Sequence, residues 1–121
     1  MTKSALSVFV YSFYILIMGL VFLFIPNIAL QLLGLNTTSE PWIRVLGLFS
    51  ISVGLYYNNN SLNNLTSFFR ISIIGRLVFW IGMIGLWLSG FSPVLAIVGC
   101  GDLIGAIWTA LALNAEGKLW K

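Results

Sequence analysis

The stretch that decides the fold is VLAIVGCGDLIGAIWTALAL, Val94 to Leu113. At 1.5 Å of rise per residue, a helical run of about 20 apolar residues crosses the roughly 30 Å hydrocarbon core of a bilayer. Only Asp102 among its residues is ordinarily charged at neutral pH. An aspartate at the centre of such a helix costs roughly 2.5 to 3.5 kcal/mol, whereas each Leu, Ile or Val returns only about 0.3 to 0.6. The aliphatic residues of the run barely offset that cost, so Asp102 is expected to turn away from lipid, toward protein and a compensating partner.

The rest of the chain agrees with a lipid environment. Of 121 residues, 60% are hydrophobic and 7% charged, and the mean hydropathy is +1.02. Soluble domains carry roughly 25% charged residues. One domain, 1–121, is expected, with no room for a separate aqueous unit. The six basic residues are scattered rather than striped, which argues against nucleic acid as a partner. A single cysteine, Cys100, and the absence of histidine argue against an intrachain disulfide and a metal site, and no cofactor is expected.

Working outward, three further spans are expected, at approximately 5–25, 42–57 and 71–88, with the last at 94–113. Pro26-Asn27 closes the first, which exceeds the apolar core of a cleavable signal peptide and so reads as an uncleaved helix. Asn27 to Pro41 is too short and interrupted to span and reads as a short interfacial helix. Trp42 and Tyr56-Tyr57 anchor the ends of the second span. Asn58 to Phe69, NNNSLNNLTSFF, reads as a loop. The fold expected is an all-α membrane protein, an antiparallel four-transmembrane-helix bundle. Lys3, Arg70, Lys118 and Lys121 then fall on one side and Arg44 with Glu40 on the other, which makes both termini cytoplasmic.

Two constellations follow from helical spacing. Gly101 and Gly105 form a GxxxG pair continued by Thr109, which reads as the main packing seam; Gly47 and Gly54 read as packing positions on the second span. A buried polar site is expected around Asp102, with Arg76 or Arg44 as its cationic partner and Tyr11 and Tyr14 on a more polar face of the first helix. No catalytic residue is assigned, because Cys100 has no histidine to activate it.

Trp42-Ile43-Arg44-Val45-Leu46-Gly47 opening a helix that ends in Gly54-Leu55-Tyr56-Tyr57, then Arg70 and Arg76, then Gly101-Asp102, resembles the DoxX-like and related groups of small bacterial four-helix integral membrane proteins. The resemblance spans most of the chain. It implies a compact antiparallel bundle of the bacterial inner membrane and transfers no catalytic residue. The small multidrug transporters of similar size differ by a glutamate within the first helix, which this chain lacks.

Three functions fit these residues. The leading one is a non-catalytic membrane protein that packs as an accessory subunit, in a homo-oligomer or larger membrane complex, or holds a lipid-like hydrophobic ligand. The second is a small transporter or proton-coupled protein working through Asp102, and the third a membrane enzyme acting on a lipid or quinone.

Overall fold

A computed structural model describes residues 2–119, so Lys121 of the expected basic side lies outside the described residues. Five helices follow one another: α1 (Lys3–Phe24), α2 (Pro26–Leu32), α3 (Trp42–Leu62), α4 (Thr66–Leu88) and α5 (Pro93–Ala115), with no strand among the described residues.

Local chemistry sets the boundaries. The Thr2 hydroxyl accepts from the Ala5 amide and caps α1, while Ser92 accepts from Val94 and Pro93 fills the first turn of α5, where its missing N–H costs nothing. Gly34 and Gly90, at φ +73° and +105°, end α2 and α4 in the left-handed conformation glycine adopts without strain. Asn64, at φ 52°, does the same after α3.

The asparagine-rich segment departs from the loop expectation. α3 continues through Asn58-Asn59-Asn60 to Leu62, and α4 already begins at Thr66, leaving only Asn63 to Leu65 as the turn. Tertiary pairing outweighs the weak helix propensity of asparagine here, since the Asn58 amide donates to Ser12 Oγ at 3.3 Å and Ser61 is buried. In the expected interfacial segment only Pro26–Leu32 is helical.

Helices α1, α4 and α5 are long and apolar enough to cross a membrane. α3 is comparable in length, but its last turns are polar, and it does not meet that standard. Burial departs from the soluble pattern, because polar side chains share the interior with Val8, Phe69 and Leu113 while large aliphatics face outward. Ser4, Ser7, Ser12, Ser72, Arg76, Asp102 and Thr109 are buried, while Ile17, Val78, Ile97, Ile104 and Leu111 are exposed. Such a surface suits hydrocarbon, where small and polar side chains hold helices together.

α1 packs against α3, α4 packs against α5, and contacts between α1 and α5 join the two pairs; α3 and α4 meet sparsely. Neighbours run in opposite senses: on α1 and α3, Gly19 meets Gly47 and Ser12 meets Asn58; on α1 and α5, Ser7 meets Thr109 and Ser4 meets Glu116; on α4 and α5, Arg76 meets Gly105 and Met83 meets Gly99. The tightest crossing lies between α1 and α3. A methyl group built on Gly47 would stand 2.7 Å from the Gly19 carbonyl oxygen and 2.8 Å from the Leu23 amide, and one on Gly54 would meet Leu16.

The seam expected at Gly101 is displaced. Gly101 is exposed, with nothing within 4 Å of an added Cβ, because α5 turns its Leu95, Ala106, Thr109 and Leu113 face inward instead. Gly105 does not face a backbone either, and its missing side chain leaves room for the Arg76 guanidinium, whose Nη1 would lie 3.1 Å from an added Cβ.

Candidate functional site

Asp102 is 3% exposed and lies about 14 Å along α5 from Pro93 and about 20 Å from Ala115. From α1, the Tyr11 hydroxyl donates to Asp102 Oδ1 at 2.6 Å, a short bond of the kind made to charged acceptors. Tyr11 sits one helical turn beyond Ser7, so the same face of α1 that buries Ser4 and Ser7 delivers the phenol.

Arg76 is 2% exposed, and its hydrogen bonds go to other groups than the carboxylate. Nη2 donates to Thr109 Oγ1 at 2.9 Å and to Ser72 Oγ at 3.1 Å, and Nε to the Ser72 carbonyl at 3.4 Å. Its guanidinium carbon lies 4.5 Å from the centre of the Tyr11 ring. The expected Asp–Arg pair is therefore indirect: one tyrosine stacks on the cation with its face and donates to the anion with its hydroxyl. The reason is register, because Arg76 meets α5 at Gly105 and Thr109, on the Ala115 side of Asp102. Arg76 Nη1 is buried and has no hydrogen-bond partner.

Arg44 belongs elsewhere. It is exposed at the start of α3 and donates through Nη1 to the Leu23 carbonyl, in the last turn of α1, where a cation complements the helix dipole. Its chain is anchored there rather than at Asp102.

These side chains close one end of a cavity of ≈ 560 Å³, inside the roughly 300 to 1,000 Å³ range of small-molecule sites. Tyr11, Tyr14, Tyr57, Arg76 and Asp102 form its polar end. The remainder is apolar apart from Ser50, running past Ile15, Met18 and Val53 to Phe22, Leu30, Leu33 and Trp42. Helix α2 thus floors the far end. Leu46 and Phe49 of α3 and Phe79 of α4 line the cavity and are also exposed, so its mouth lies on the outer surface between α3 and α4, where those helices diverge.

The structure thus brings Asp102, Tyr11, Tyr14 and Arg76 to one cavity and leaves Arg44 outside it. It also adds residues that spacing alone did not single out. Tyr57, read as an interfacial anchor, sets its ring centre 5.3 Å from that of Tyr11, tilted by 54°, because α3 extends past it. Ser72, one turn before Arg76, holds the guanidinium, a spacing visible in the sequence. A second polar column leads from the cavity toward the end of α5: Ser7 and Thr109 hydroxyls lie 2.7 Å apart, and Ser4 donates to Glu116 at 2.9 Å. Among the described residues no group of histidine, cysteine, aspartate and glutamate could hold a metal ion. No family model, curated protein or solved structure matches the chain, so its site stands on geometry alone.

Proposed function

We propose that the chain is a non-catalytic integral membrane protein that holds a lipid-like hydrophobic ligand between α3 and α4. The observation that carries this reading is the ≈ 560 Å³ cavity, apolar along most of its length, polar at one buried end, and open on the apolar outer surface. A ligand of that shape enters sideways from the bilayer and leaves the same way, without crossing water. In this reading α3 is a fourth span, its polar last turns lying in the headgroup region. The four spans then alternate in direction, and both ends face the cytoplasm of a bacterial inner membrane. The accessory-subunit form of the reading draws on Gly101, whose outward position leaves a partner helix room to approach.

Gly75 offers the direct test. It lines the cavity, and nothing lies within 4 Å of a Cβ added there, so a leucine would fill ligand space while raising helix propensity. Wild-type protein purified from native membrane in mild detergent should carry a stoichiometric lipid or other apolar molecule by mass spectrometry, and Gly75→Leu should carry none while remaining folded by circular dichroism. Wild-type protein that emerges free of ligand, or a variant that retains it equally, would refute the proposal.

A further inference from the structure

Resting on the lipid-holding reading above, we infer that the ligand is a long-chain lipid with an uncharged, hydroxyl-bearing head, seated head-inward against Arg76 and Asp102. Three observations converge on this head. Arg76 Nη1 is a buried donor without a partner in a side chain that lines the cavity, and an acceptor oxygen on the ligand would satisfy it. Asp102 also lines the cavity, and a carboxylate has room for more than the one hydrogen bond Tyr11 gives it, so the ligand can bring a donor as well. An alcohol is the smallest group that does both.

Charge argues the same way. The polar end holds one cation and one acid, Arg76 and Asp102, with three tyrosine hydroxyls around them. A carboxylate or phosphate head would leave a net negative charge deep in the membrane beside Asp102, and a quaternary ammonium head a net positive one beside Arg76. Both are penalised in low dielectric, whereas an uncharged head keeps the site balanced. The tail follows from the walls: from Tyr11 to Phe22 the cavity follows about 16 Å of α1, lined by aliphatic and aromatic side chains.

The test is a titration of the purified full chain, stripped of co-purified lipid, with oleyl alcohol, oleate and methyl oleate in turn, read as bound adducts by native mass spectrometry. These share one tail and differ in the head: donor and acceptor, anionic acceptor, neutral acceptor only. Wild type should bind the alcohol about tenfold more tightly than either of the others, the ratio expected for one well-formed hydrogen bond to a charged group. In Asp102→Asn, which keeps an acceptor for Tyr11 and leaves the site with the Arg76 charge alone, the order of alcohol and oleate should reverse. A wild-type preference for oleate, or equal binding of all three, overturns the uncharged-head inference and leaves the lipid-holding reading standing. Failure of all three to bind wild type, with no difference from Gly75→Leu, removes both. The wild-type ranking alone is decisive if the aspartate variant does not fold.

Discussion

Tyr11 does two jobs with one side chain, and they can be separated. Its ring stacks on the Arg76 guanidinium and its hydroxyl donates to Asp102. Tyr11→Phe keeps the first and removes the second, leaving a buried acid short of a donor. We expect a loss of about 1 to 3 kcal/mol, read as a lower unfolding midpoint in detergent. Two glycines make a sharper contrast. Gly47→Ala sets a methyl against the backbone of α1 and should destabilise by about 1 to 3 kcal/mol, whereas Gly101→Ala meets nothing and should be neutral or gain up to about 1 kcal/mol. Equal effects in the two variants would mean that the α1–α3 crossing is not the close contact of the fold.

At the scale of elements, α3 is the one whose role is open to a decisive measurement. With four spans, reporters fused after Lys121 and before Met1 should both report the cytoplasm. Three spans, with α3 lying outside the bilayer, would place them on opposite sides. The all-α class and the three most apolar helices were legible in the sequence because a 20-residue apolar run has few other uses. Asp102 was legible as buried for the same reason. What the sequence did not reveal depends on which helix faces which. Asn58 to Leu62 is helical because Ser12 is opposite, and Gly101 packs against no helix of this chain because α5 presents another face to α1 and α4. Tyr11, 91 residues from Asp102, was legible as a member of the site, but its place as the direct donor in lieu of an arginine was not. Periodicity places a residue on a face; it does not choose the neighbour.

For the whole molecule, the two helix pairs touch through α1 and α5 and separate at α3 and α4, and that asymmetry makes the cavity. A bound lipid would bridge the separated helices, so stability should depend on lipid concentration. At a hundredfold excess over its dissociation constant, a ligand specific to the folded state adds about 2.7 kcal/mol. Wild type should accordingly unfold at higher temperature when its lipid is supplied, and Gly75→Leu should show no such gain. An identical shift in both would reflect micelle effects rather than the cavity.

The Glu116 carboxylate accepts from both the amide and the hydroxyl of Ser4, and Arg70 holds the Lys118 carbonyl nearby. This clasp joins positions 112 residues apart, which gives biogenesis an order in time. During synthesis α1 has α3 to lean on long before α5 leaves the ribosome, and its Ser4 and Ser7 hydroxyls wait without their final partners. The α1–α5 contact is therefore the last of the long-range helix pairings that synthesis makes available.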